Sequence, residues 1–136
     1  MDKKIREHFI DVINLARDVF DHVEAEMDST PERAILRLKA QYGPYRIFIT
    51  ELFNEQIRKY RYYILRDDWV EAGFDNSPDP RALRERYGQI GEEHAGEYIP
   101  HLHLENKTRL SLTEEMTFEA FVDWLRDNLA ATDVEN

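Results

Sequence analysis

The spacing of hydrophobic residues predicts a long helix at the N-terminal end of the chain. Hydrophobic side chains recur there every three or four positions, which is the spacing of an amphipathic helix. A proline at position 31 closes the pattern, since proline lacks the backbone donor that a helix needs. We therefore predict a helix over residues 1–28. Its apolar face consists of Ile5, Phe9, Val12, Ile13, Ala16, Val19, Phe20, Val23 and Met27.

From residue 33 the hydrophobic period changes to two, which is typical of half-buried strands. Four short strands follow one another between tight turns such as Gly43-Pro44, and a fifth is predicted from Tyr98 to Leu104. Parallel strands would need a crossover of a dozen or more residues between each pair. The short connections therefore predict an antiparallel meander.

Two further helices are predicted beside the sheet. Asp79 and Pro80 supply an N-cap and a first-turn proline, and Gly88 supplies a C-terminal glycine, so a short helix is inserted between two strands. A last amphipathic helix is predicted over residues 117–130. The predicted fold class is α+β: an antiparallel β meander of about four to five strands, packed by a long N-terminal helix and a C-terminal helix.

Length and composition narrow the class of protein. With 136 residues and 42% hydrophobic residues, the chain is expected to form a single domain (1–136), with the sheet over residues 33–104. No apolar segment approaches the roughly 18 residues that a membrane-spanning helix requires. The chain has no cysteine, which excludes disulfides and thiolate metal ligands and fits the predicted cytoplasmic location.

Charge is distributed unevenly along the chain. The net charge is −10, yet residues 33–66 hold eight basic and two acidic side chains, a local balance of +6 that leaves −16 for the rest. A local field of this size can steer a polyanion to one face of an acidic protein. The segment also interleaves cations with aromatic rings, as surfaces that stack unpaired bases do, although packing of the tyrosines beneath a helix is the favoured explanation of the rings.

The main candidates for chemistry are His101 and His103. On a strand the two imidazoles would project to the same face, with their Cα atoms about 6 to 7 Å apart. Such a pair could act as a general base and a general acid, or it could bind a divalent metal with a carboxylate such as Asp75 or Glu105. It could also consist of one buried and one solvated structural histidine.

Three segments resemble the TumE family of toxin proteins. They are Tyr60-Arg61-Tyr62-Tyr63, Gly73-Phe74-Asp75-Asn76-Ser77-Pro78 and Ile99-Pro100-His101-Leu102-His103-Leu104-Glu105-Asn106-Lys107. They reproduce the family's order of an aromatic-basic strand, an Asp-Asn-small-Pro turn and a Pro-His-x-His element. The resemblance implies a cytoplasmic growth inhibitor that acts on RNA and is paired with a helix-turn-helix antitoxin.

The favoured interpretation is an endoribonuclease that needs no metal or other cofactor. His101 and His103 would exchange protons with the ribose 2′-hydroxyl and the 5′ leaving oxygen, Asp75 would orient an imidazole, and Lys107 would stabilise the phosphorane together with Arg61. The residues expected to bind substrate are Arg58, Lys59, Arg61, Tyr62 and Asn76.

Two alternatives remain open at this point. One is a non-catalytic module that holds RNA or an acidic protein on the basic strands, and the other is metal-assisted hydrolysis through the two histidines and a carboxylate. A homodimer is also predicted, because the first helix has enough apolar residues to cover both the sheet and a neighbour.

Overall fold

A single antiparallel sheet of seven strands forms the centre of the protein, in a computed structural model that describes residues 2–88 and 93–131. The strands lie in sequence order, so every neighbour in the sheet is also a neighbour along the chain. The elements are α1 (Lys3–Val19), β1 (Asp21–Ser29), β2 (Arg33–Tyr42), β3 (Tyr45–Asn54), β4 (Arg58–Arg66), β5 (Trp69–Asp75), α2 (Pro80–Tyr87), β6 (His101–Leu104), β7 (Arg109–Leu112) and α3 (Phe118–Asn128). The predicted α+β class and antiparallel meander are confirmed, with more strands than expected.

The predicted N-terminal helix over residues 1–28 is too long. Helix α1 ends at Val19, where the Phe20 N–H bonds the Ala16 carbonyl, and β1 follows at once. The hydrophobic positions Val23 and Met27 fit a helical spacing, but together with Ala25 they also alternate with polar residues. The chain takes the strand because β2 pairs with it continuously from Glu24 to Ser29.

Both unpredicted strands lie at the edges of the sheet. Strand β1 is almost wholly exposed, and its Glu24 and Glu26 lie opposite Lys39 and Arg37 of β2, so cross-strand charge pairs replace core packing there. Strand β7 pairs with β6 beyond the predicted end of the sheet at residue 104. Acidic residues of β1 therefore offset part of the positive charge of residues 33–66. The sequence pattern does not predict this pairing, because it assigns β1 to the first helix.

Different helices pack on the two faces of the sheet. Helices α1 and α3 pack on one face and enclose the main core, in which Phe118 and Phe121 contact the ring of Tyr62. On the other face, which we call the open face, the short helix α2 packs near β7 through Ala82 and Leu83. The open face of the central strands carries no helix within the described part of the chain.

The helices bear on two expectations from the sequence, the homodimer and the absence of a membrane-spanning helix. Ile10 is the one large hydrophobic residue on α1 that is clearly exposed, so the predicted homodimer stays a prediction. Among the described residues, no helix combines the length and apolarity that crossing a bilayer requires.

A buried ionic network joins α1 to the sheet on the helix-covered face. Glu51 of β3 is fully buried, and its carboxylate is 2.6 Å from Nε2 of His8 and 3.2 Å from Nη2 of Arg58. The hydroxyl of Tyr62 donates a third hydrogen bond to the same carboxylate. Burial of a lone carboxylate would be costly, so these three partners make the position tolerable.

The network shifts the pKa of two groups in opposite directions. Its hydrogen bond to Glu51 raises the pKa of His8 above the ordinary 6.5, against the effect of burial. Burial alone would raise the pKa of Glu51, but the hydrogen bonds from His8 and Tyr62 and the charge of Arg58 outweigh it and hold that pKa below 4.5.

Stability should therefore depend on pH through this network. Glu51 contributes stability above pH 4.5 that is lost as the pH falls through its lowered pKa, and His8 contributes stability below pH 6.5 that is lost as the pH rises through its raised pKa. In urea unfolding, we expect His8→Gln to cost more free energy of unfolding at about pH 6 than at about pH 9. An equal cost at both pH values would contradict the assignment.

Candidate functional site

Strand register brings the predicted site residues into two adjacent rows on the open face. One row runs Thr50, Arg61, Asp75 and His101 across β3, β4, β5 and β6, and the next runs Phe48, Tyr63, Gly73 and His103. Cross-strand partners share a sheet face, so pairing alone gathers residues that are far apart in sequence. The rows place a cation, two aromatic rings, a carboxylate and both imidazoles side by side.

The two imidazoles form a close buried pair. His101 is 1% exposed and His103 is 4% exposed, and their Nε2 atoms are 3.1 Å apart with the ring planes nearly perpendicular. Nδ1 of His101 is 2.7 Å from the carbonyl oxygen of Ile99, which can only accept, so Nδ1 carries the proton and Nε2 is an unprotonated acceptor. His103 then donates from Nε2 to His101.

The first turn of α2 lies over the imidazole pair. Asp79 caps this helix by accepting from the Arg81 N–H at 2.8 Å, and its other carboxylate oxygen is 3.9 Å from Nε2 of His101 and 4.0 Å from Nε2 of His103. Nη2 of Arg81 is 3.4 Å from Nδ1 of His103. Since a guanidinium only donates, Nδ1 of His103 is an acceptor, which agrees with a proton on its Nε2.

The electrostatic environment keeps His103 neutral at pH 7. Burial lowers the pKa of His103 to about 4, with smaller contributions from His101, Lys107 and Arg81, while Asp79 acts in the opposite direction. For Asp79 itself, partial burial raises the pKa, but the Arg81 backbone hydrogen bond and the Arg81 charge outweigh it and leave the pKa lowered. A neutral imidazole and an ionised carboxylate therefore face each other near neutral pH.

Asp75 lies beside the pair but bonds other groups. Its Oδ1 accepts from the Ser77 N–H at 2.7 Å, and its Oδ2 is 3.3 Å from Nε of Arg61. Ligand-capable atoms of Asp75, His101 and His103 all lie within 4.8 Å of one another. Asp75 is predicted from the sequence to orient an imidazole. In the structure its carboxylate instead forms an ion pair with Arg61 of β4.

Lys107 reaches the same region from the turn between β6 and β7. Residues 105–107 all have positive φ, and the Asn106 side chain holds this turn against Val70 of β5 at 3.0 Å. Nζ of Lys107 is 4.9 Å from the ring centroid of Tyr63, and Cζ of Arg61 is 5.1 Å from it. The ring of Tyr63 is thus flanked by two cations and lies 6.3 Å from the ring of His103.

Three of the predicted substrate-binding residues do not belong to the open face. Tyr62 is fully buried beneath α3, and Arg58 bonds Glu51 within the network on that side, which corrects their assignment. Asn76 is 3% exposed and ties β4 to the end of β5 by bonding the Tyr60 N–H and the Arg58 carbonyl. Alternation along β4 explains the split, because its even-numbered residues from Tyr60 point to the core.

Lys59 and Arg61 are on the open face, next to a shallow concavity of about 330 Å³. It is lined by Phe48, Thr50, Arg61, Tyr63 and Leu65. Arg46 lies 5.4 Å above the ring of Phe48, so cations border the concavity. We call this surface the aromatic shelf.

Sequence reasoning missed Asp79, Arg81 and Tyr63 as members of the site. From the sequence, Asp79 is recognised only as a helix cap. Its position four residues after Asp75 is a signal that could have placed it near the site. Tyr63 was not separated from Tyr62, because choosing between them needs the face of the strand.

Comparison of the chain with models of known protein families, with curated proteins and with solved structures finds no match.

Gly73 makes room for the Tyr63 ring, and this can be tested. A Cβ at position 73 would lie 2.8 Å from Cε1 of Tyr63, closer than side chains normally approach. We expect Gly73→Ala to cost about 1 to 3 kcal/mol of stability in urea unfolding, by forcing the ring away. In a Tyr63→Ala background the same change should cost clearly less, and an equal cost in both backgrounds would show that the ring is not what occupies this space.

Proposed function

We propose that the chain is a TumE-like toxin that cleaves RNA by general acid–base catalysis without a metal. The observation that carries the proposal is the hydrogen-bonded pair His101 and His103, in which Nε2 of His101 is unprotonated, bordered by Arg61 and Lys107 on the open face. A proton acceptor, a proton donor and phosphate-binding cations are the groups that this reaction requires.

The imidazole pair supplies the proton transfers. In the resting state Nε2 of His101 is unprotonated and can accept a proton from a ribose 2′-hydroxyl, and the imidazolium formed in this way, hydrogen-bonded to His103, can deliver a proton to the 5′ leaving oxygen. The 2′-oxygen attacks the phosphorus, the bond to the 5′-oxygen breaks, and a cyclic phosphate remains.

Cations beside the pair would bind the phosphate. Lys107 is exposed, and Arg61 and Arg81 are about half exposed, whereas both imidazoles are buried. An incoming phosphate would be held by these cations and must displace the Asp79 carboxylate, whose side chain is 18% exposed, to contact the imidazoles. Bases of a single strand could stack on the aromatic shelf.

The proposed biological setting follows from the resemblance of the three sequence segments to the TumE family. A toxin of that kind acts in the cytoplasm and is held inactive by a helix-turn-helix antitoxin. A small helix-turn-helix protein encoded beside this chain would support this setting.

The second candidate function is a non-catalytic module that holds RNA or an acidic protein. The aromatic shelf favours it, because Arg46 and Arg61 border an open surface that does not involve the imidazoles, and Lys59 lies on the same face of the sheet. Binding of this kind weakens steeply with salt and is unaffected by loss of either histidine.

Cleavage of single-stranded RNA by the purified protein, with chelator present, distinguishes these functions. We expect His103→Ala and Lys107→Gln to lower the cleavage rate by about 100-fold or more, because each removes a group that acts in the transition state. Lys4→Gln, an exposed lysine on the helix-covered side, is the matched control and should leave the rate unchanged.

Lys107 is exposed, so its variant tests the chemistry even if the buried histidine variant folds poorly. Equal cleavage by wild type and both variants would overturn the assignment of the site. Salt-sensitive RNA binding without cleavage, retained in His103→Ala, would instead establish the binding module.

A further inference from the structure

Three groups that commonly bind transition metals converge at the imidazole pair. The Nε2 atoms of His101 and His103 are 3.1 Å apart, and a carboxylate oxygen of Asp75 completes a set whose atoms lie within 4.8 Å of one another. In a tetrahedral complex with metal–nitrogen bonds of about 2.0 to 2.1 Å, two ligand nitrogens are about 3.3 Å apart. The imidazoles therefore need to separate by only a few tenths of an ångström to admit an ion.

The orientation of His101 is already that of a metal ligand. Its Nδ1–H donates to the Ile99 carbonyl at 2.7 Å, which fixes the ring with the Nε2 lone pair directed at the other ligands. Histidines that bind metals are typically held in this way, by a backbone carbonyl or a carboxylate on the second nitrogen. His103 needs one adjustment, because its Nδ1 must take the proton and the half-exposed Arg81 must move away from it.

A second carboxylate lies where a fourth ligand would be needed. Oδ2 of Asp79 is 3.9 Å and 4.0 Å from the two Nε2 atoms, so it is nearly equidistant from both rings. The Asp79 side chain is 18% exposed, whereas both imidazoles are buried. Two carboxylates would balance the charge of a buried divalent ion. In the structure, the charges of these carboxylates are balanced by Arg61 and Arg81.

We propose that Asp75, His101 and His103 form a binding site for a zinc-class divalent transition metal ion, with Asp79 as the fourth ligand. Two imidazole nitrogens with two carboxylates suit Zn²⁺, Co²⁺ or Ni²⁺, whereas Mg²⁺ and Ca²⁺ favour sites made of oxygen alone. The site is separate from the Glu51 network, in which one His and one carboxylate are bonded to each other on the opposite face.

Metal binding does not require that the chain cleaves RNA, but it would bear on the regulation of the proposed reaction. The ion would occupy the Nε2 lone pairs that the acid–base reaction uses. A bound zinc-class ion is therefore expected to inhibit the metal-independent reaction by competing with the proton at the same atoms.

The test is titration of untagged, chelator-stripped protein with Co²⁺, which absorbs visible light strongly when it is tetrahedrally coordinated. We expect a single ion per chain, displaced by Zn²⁺, and a rise in the thermal midpoint when Zn²⁺ is added. The variants Asp79→Asn and Asp75→Asn should each weaken binding at least about tenfold.

Both of these variants are designed to preserve the fold. An Asn side-chain oxygen still caps α2 at position 79 and still accepts from the Ser77 N–H at position 75. His94→Ala, in an exposed turn outside the site, is the matched histidine control and should bind as wild type does. Wild-type protein without the tetrahedral Co²⁺ spectrum, or equal affinity in both Asn variants, would overturn the proposal whatever the result of the RNA assay.

Discussion

The antiparallel pairing of β5 with β6 determines which strand residues meet at the candidate site. Asp75 lies opposite His101 and Gly73 opposite His103, and β4 extends the same two rows to Arg61 and Tyr63. A slip of one residue would turn both imidazoles into the core beneath α3, since side chains alternate between faces. The hydrophobic residues Leu102 and Leu104 resist such a slip because they already occupy that core. The packing of Leu102 and Leu104 against the core therefore keeps His101 and His103 on the open face.

The sheet carries a buried polar cluster on each face, and the two clusters differ in how completely they are bonded. Around Glu51, three donors approach one carboxylate, so both of its oxygens are bonded within the protein. Around the imidazole pair, Asp79 stands 3.9 to 4.0 Å away, close enough for electrostatic attraction and too far for a hydrogen bond. The first cluster therefore anchors α1 to the sheet, and the second retains the capacity to bind a proton, a phosphate or an ion.

The sequence predicted the fold best where its pattern had a single interpretation. The alternation from residue 33 to 75 identified four consecutive strands, and Asp79, Pro80 and Gly88 marked both ends of α2. The pattern failed at β1, because residues 23, 25 and 27 fit a strand while 19, 23 and 27 fit a helix, and only the presence of β2 decides between them. For the site, the Pro-His-x-His segment was sufficient to bring the two imidazoles to one face. Asp79 and Arg81 could not be placed there, since their approach depends on how α2 folds back over the open face.

Imidazole nitrogen NMR across pH, with chelator present, tests the central claim most directly. We predict that His101 carries its proton on Nδ1, and that His103 carries its proton on Nε2 and begins to titrate only near pH 4. This pattern requires the two rings to share one hydrogen bond in a buried site beside Arg81 and Lys107. A His103 ring that titrates near its ordinary 6.5, with its proton exchanging between both nitrogens, would contradict the account.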